Sequence, residues 1–139
     1  MSAREYFDSV AAAVRLHRHA ELQLLYGPPS GNGGGGSSSD HSDPVAARAL
    51  SNEAARADLS ATETVIGEAL ERIEGLRGLF GEKADVIEAH FVDLTPWTDV
   101  AADFGVTERT VRRWYDGMCE FADSVGWARV LLGEGFAEG

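Results

Sequence analysis

Apolar positions recur at helical spacing almost from end to end of this chain, and the pattern predicts a succession of amphipathic helices. The first covers Arg4 to Tyr26, with Phe7, Val10, Val14, His17, Leu24 and Leu25 near one stripe and Arg15, Arg18 and Glu21 off it. Gly27, Pro28 and Pro29 end it. The stretch from Gly27 to Asp43, GPPSGNGGGGSSSDHSD, has nothing to bury and predicts a flexible connection. Asp43 and Pro44 then form a helix start, the acid as N-cap and the proline at the first helical position. Helical character continues to about Leu79, first on an alanine-rich stripe of Ala46, Leu50, Ala54 and Ala57, then on a stronger one of Ile66, Leu70, Ile73, Leu76 and Phe80. Ser60 either restarts a helix or lies inside one long helix.

Gly78 and Gly81 bracket Leu79 and Phe80 and predict a break. Beyond it, Glu82 to Val92 reads as a short helix with Val86, Ile87, Phe91 and Leu94 inward, and Thr95 with Pro96 turns the chain into WTDVAADFGVTERTVRRW, Trp97 to Trp114. Here Val100, Ala101 and Phe104, then Val106, then Val111 and Trp114 are spaced for two helices crossing at a tight turn. Ala101 allows close approach, Gly105 can take the left-handed turn, and Thr107 can cap a free N–H at the start of the second helix. Thr107, Glu108, Arg109, Thr110, Arg112 and Arg113 then face outward, as on a recognition helix that enters a DNA major groove. The helix is expected to continue through Met118, Phe121, Ala122 and Val125 to Gly126, followed by an apolar tail with Trp127, Val130, Leu131, Leu132 and Phe136.

With strand signals nearly absent, the expected class is all-α. An N-terminal helical pair, hairpin or coiled-coil-like, spans residues 1–80 around the loop 27–43, and a C-terminal helix-turn-helix domain spans 81–139. The pair suits an antiparallel arrangement or a dimer seam. Trp97 and Trp114 are expected in the hydrophobic centre. The single cysteine, Cys119, rules out an internal disulfide framework and a cysteine-rich zinc site. No apolar run reaches membrane-spanning length and the first ten residues carry acids where a secretory signal would be basic, so a cytoplasmic protein without membrane contact is expected.

Enzymatic chemistry finds no foothold. The glycine run lacks the Lys-Ser/Thr pair and the preceding strand of a phosphate-binding loop. His17, His19, His41 and His90 share no metal-ligand spacing with Cys119 or with each other, and no carboxylate pair or activated nucleophile stands out. No catalytic residue, cofactor or metal is therefore expected.

Charge cuts against nucleic acid, because the chain of 139 residues carries a formal −11 and phosphate neutralisation supplies much of duplex affinity. From Glu82 onward five bases stand against twelve acids. Three of those five, Arg109, Arg112 and Arg113, nevertheless fall within one and a half turns of the second helix, so positive charge is focused where a groove would be met.

The segment EKADVIEAHFVDLTPWTDVAADFGVTERTVRRWYDGMCEFA, Glu82 to Ala122, resembles the region-four module of bacterial sigma factors. The whole chain resembles phage and prophage regulators of the RinA and ArpU type, the stretch Arg4 to Leu79 by arrangement only. The resemblance implies a transcriptional activator of late phage genes, or a related DNA-binding packaging or regulatory factor. The leading expectation is a sequence-specific reader of duplex DNA acting as a homodimer. The competing one, favoured by the negative charge, is a protein-interaction module with a sigma-like fold that contacts RNA polymerase or another phage protein.

Overall fold

The computed structural model describes residues 1–26 and 44–132, with side-chain surroundings for 1–26 and 52–132. The connection 27–43 with its Asp43 cap, the side chains of Ala46 and Leu50, and Phe136 lie outside the described residues. Among those described, the protein is all-α. Helix α1 is Ala3–Tyr26, α2 Pro44–Phe80, α3 Asp85–Ile87, α4 Trp97–Phe104, α5 Glu108–Val125 and α6 Trp127–Leu132. A 3₁₀ turn, Gly81–Ala84, precedes α3 and a π turn, Glu88–Val92, follows it. Helix α2 is one continuous helix of 37 residues, so Ser60 and Gly78 both lie inside it. The break falls at Gly81, whose φ of 71° ends the helix.

The chain divides into two compact units. Of the described residues, one holds 1–14 and 65–132; the other holds 15–26 and 44–64. The boundary read at residues 80 and 81 therefore falls within the first unit, because the start of α1 and the end of α2 share its core. Phe7 is at the centre of that core, fully buried, with ring centroids 5.6 Å from Phe91, 6.2 Å from Tyr115 and 5.8 Å from Trp127. Val10, Ile73, Leu76, Val86, Ile87, Val100, Val111, Met118 and Val130 complete it, all essentially inaccessible.

Local chemistry explains how the segments of this unit are held. Helix α1 begins with a capping box: Glu5 N–H donates to Ser2 Oγ at 3.1 Å and Ser2 N–H donates to Glu5 Oε1 at 2.8 Å. The Ser2 backbone N–H, and after it the Ser2 hydroxyl, hold the Glu5 carboxyl below its ordinary range. Ala3 N–H donates to Asp123 Oδ1 at 2.8 Å, and Arg4 pairs with Asp116 at 3.1 Å, fastening α1 to α5. At the end of α2, Arg77 Nε donates to Asp85 Oδ1 at 2.8 Å and its Nη2 to Glu88 Oε1 at 3.0 Å, with Glu74 as a third partner. These bonds, Asp85 foremost, hold the guanidinium above its ordinary range. Arg72 lies over the faces of Tyr6 and Trp127, at 4.4 and 4.9 Å. Gly75 permits the close approach of α6, since a Cβ there would stand 3.0 Å from the Val130 carbonyl oxygen.

In the second unit Ala20, Ala55 and Thr62 are buried. His17 Nδ1 lies 2.9 Å from Thr62 Oγ1, and its Nε2 is 3.6 Å from Glu21.

Several sequence stripes shift by one position. Ala54 and Ala57 are exposed and Ala55 is buried. Leu70 is exposed and Ala69 buried. On α1, Leu25 is 72% exposed and the stripe is fully buried only as far as Val14. Alanine contributes too little contrast to fix the phase of a stripe, so its neighbours decide which face turns inward. Trp97 and Trp114 lie half-buried at the margin of the core, while Tyr115, unflagged by the spacing, is inside it. Leu131 and Leu132 of the tail are exposed; Val130 is buried. The helix read over Glu82 to Val92 is three short pieces, since Asp93 N–H bonds back to Glu88 O and Thr95 N–H to Ala89 O, both longer than helical reach.

Candidate nucleic-acid interface

The segment Trp97–Val125 follows its local sequence closely. Pro96, at extended ψ, precedes α4 as its N-cap. Gly105 closes α4 in the left-handed region at φ 69°, and Val106 N–H reaches back to Ala101 O at 3.0 Å. Thr107 takes extended backbone angles and its Oγ1 accepts from Thr110 N–H at 3.3 Å, which starts α5. Val100, Ala101 and Val111 are buried where α4 meets α5.

The inner face of α5 is apolar over its whole length: Val111, Tyr115, Met118, Cys119 and Ala122 are buried. Burial lifts the Cys119 thiol to about 11, and burial with Cys119 beside it holds the Tyr115 phenol above its ordinary range. The outer face is different in kind. Arg109, Arg112 and Arg113 are exposed on successive turns, and with Glu108 and Asp116 they line a shallow surface depression of about 450 Å³.

The three arginines are not equivalent. Arg112 Nε donates to Glu108 Oε2 at 2.7 Å, and its guanidinium lies 5.7 Å from the Trp97 ring centre. His90 stacks on Trp97 with ring centroids 3.9 Å apart and nearly parallel planes, and its Nδ1 lies 2.7 Å from Thr95 O. Arg109 and Arg113 have no carboxylate within ion-pair distance among the described residues. Thr110 is half-buried, with its hydroxyl 3.0 Å from that of Thr107, so both threonines serve the cap. Glu108 is half-buried in the first turn, where a carboxylate is favoured by the helix dipole.

Thus the six residues singled out by sequence lie together, Thr107 at the N-cap of α5 and the other five on its first two turns. Trp97 was missed as their neighbour. Its spacing pointed to the core, and nothing in sequence signals that a half-buried indole will support an arginine from the next helix. No group of three or more His, Cys, Asp or Glu side chains among the described residues is placed to hold a metal ion. No described helix is long and apolar enough to cross a membrane. The chain matches no protein-family model, no curated protein and no solved structure.

Proposed function

We propose that the protein is a DNA-binding transcriptional regulator of the phage and prophage RinA and ArpU type, which places the start of α5 in the major groove of duplex DNA. The observation that carries this reading is the division of α5 into two faces: an inner face wholly committed to the core, and an outer face bearing Arg109, Arg112 and Arg113 immediately after a capped tight turn. An arginine there can reach a guanine edge with two hydrogen bonds, a contact worth about 1–3 kcal/mol of discrimination. Arg112, held by Glu108 and backed by Trp97, is oriented before binding and suits base readout. Arg109 and Arg113, without carboxylate partners, suit phosphates. Thr107, Glu108 and Thr110 lie at the same end of the helix and border the contact.

A homodimer would set two such helices about 34 Å apart and favour a palindromic site. Leu16, Leu22, Leu25 and Tyr26, all exposed on α1, supply apolar surface for that assembly.

The test is band-shift titration of the DNA flanking the gene, with scrambled competitor, for the natural protein and for Arg112→Ala and Arg113→Ala. Both variants should bind at least tenfold more weakly, about 1.4 kcal/mol or more, with unchanged far-ultraviolet circular dichroism. Unchanged affinity in both would remove the outer face of α5 from the interface. Binding to RNA polymerase with no affinity for DNA would favour the protein-interaction role.

A further inference from the structure

Two carboxylates, Glu108 and Asp116, stand among the arginines of α5 and line the same depression as Arg109, Arg112 and Arg113. On a helix, residues three or four apart are neighbours, and opposite charges at that spacing pair. Arg112 has an acid four residues away on either side, Glu108 and Asp116. It takes Glu108, at 2.7 Å, the order with the acid nearer the N-terminus that helices favour. Asp116 then remains for Arg113, which has no other acid at three or four residues. Among the described residues that pair is not made. Asp116 Oδ1 instead meets Arg4 Nη1 at 3.1 Å, a cation from the first turn of α1.

Arg4 is held where it can do this, within the first compact unit. The capping box of Ser2 and Glu5 fixes the first turn of α1, Ala3 and Phe7 are buried, and Ala3 N–H donates to Asp123 Oδ1 further along α5. Asp8 stands four residues on in the same helix as Arg4, yet the ion pair of Arg4 is with α5. Both of its partners are half exposed, so the pair contributes little to stability. Its effect is on which charges of the outer face remain uncommitted.

Resting on the duplex reading of α5, we infer that Arg4 is a positioning residue for the DNA-facing arginines: by holding Asp116 it keeps Arg113 from closing an ion pair within the helix and leaves that guanidinium for the duplex. Without Arg4, Asp116 turns back along α5 onto Arg113. A direct contact between Arg4 and a phosphate is a different role, and a double-mutant cycle with Asp116→Asn separates the two by sign. Where Arg4 works through Asp116, removing that carboxylate gains most affinity when Arg4 is absent. Where Arg4 touches DNA itself, the gain is largest when Arg4 is present and released.

The experiment titrates the flanking duplex at low salt, by fluorescence anisotropy, with the full chain as the natural protein, Arg4→Ala, Asp116→Asn and the double variant. Glu120→Gln in the Arg4→Ala background, at an exposed acid of the same helix, controls for charge alone. Arg4→Ala should weaken binding about threefold, the scale of one exposed ion pair, with unchanged circular dichroism. Asp116→Asn should restore that loss while changing the natural protein less, and Glu120→Gln should not restore it. Without DNA, the Nε–H nuclear magnetic resonance signal of Arg113, assigned by its loss in Arg113→Lys, should shift in Arg4→Ala and return in the double variant. The role of Arg4 is overturned by unchanged affinity in Arg4→Ala, by a gain from Asp116→Asn that is equal or larger when Arg4 is present, or by an Arg113 signal that ignores both substitutions. If the natural protein binds no duplex, the duplex reading fails by itself, and the Arg113 signal alone upholds or overturns the hold of Arg4 on Asp116.

Discussion

Gly105 shows how much a single backbone angle can decide. At φ 69° it turns α4 into α5, and a Cβ there would meet nothing within 4 Å. Gly105→Ala should therefore lose about 1–2 kcal/mol through backbone strain alone, whereas Gly105→Asn, which tolerates the left-handed region, should lose less. Urea denaturation of the two variants measures this, and an equal loss in both would place the cost elsewhere. Cys119 provides a second test at this scale. Its thiol is lifted to about 11 by burial, against an unfolded value of about 8.5. Below that unfolded value the thiol is neutral in both states and costs nothing. As pH rises from about 8.5 to 11 the unfolded chain releases the proton first, so stability should fall across that window. The thermal midpoint of Cys119→Ser should be less sensitive to this rise in pH than that of the natural protein. Gly105, Thr107, Val100, Ala101 and Val111 were all legible in the sequence, because turn chemistry and a sharp apolar contrast fix them locally. Tyr115 and the pairing of Arg112 with Trp97 were not. Both depend on which side of a helix meets a neighbour distant in sequence. The capping box of Ser2 and Glu5 is legible in principle, as a Ser-x-x-Glu ahead of an apolar run.

At the scale of elements, the beginning of α1 and the end of α2 are parts of the same core as α3 to α6. Phe7 touches Phe91, Tyr115 and Trp127 through its ring, and Arg77 ties the last turns of α2 to Asp85 and Glu88. Phe7→Ala should cost about 3–5 kcal/mol, a large share of the roughly 5–15 kcal/mol that keeps a domain folded. The near-ultraviolet signal of Trp97, Tyr115 and Trp127 should melt together with the helical signal at a lowered midpoint. Separate transitions, with the aromatic signal unaffected, would mean that residues 81–132 stand without α1. Periodicity placed most helices well, yet it divided the chain at Gly81. That division rested on glycine punctuation, and glycine cannot reveal which segments later share a core. The break that Gly78 and Gly81 bracket falls at Gly81, and α2 absorbs Gly78 as an ordinary helical position. In α2 the phase was lost where alanines crowd, since Ala54, Ala55 and Ala57 differ little in the area each can bury.

For the molecule as a whole, the governing tension is between a formal charge of −11 and three arginines concentrated on one helical face. The acidic body should repel DNA at long range and leave affinity dependent on the few cations that reach the duplex. Binding should thus be weak off target and steep in salt, with a slope set by the number of arginine–phosphate contacts. Titrating the flanking duplex by fluorescence anisotropy over a series of salt concentrations, for the natural protein and for Arg109→Ala and Arg113→Ala, asks this most directly. The expected result is a linear fall of log affinity with log salt, its slope reduced by about 1 in each variant, as loss of one phosphate contact requires. Salt-independent affinity, slopes unaltered by either substitution, or no binding at low salt would contradict the placement of α5 on DNA.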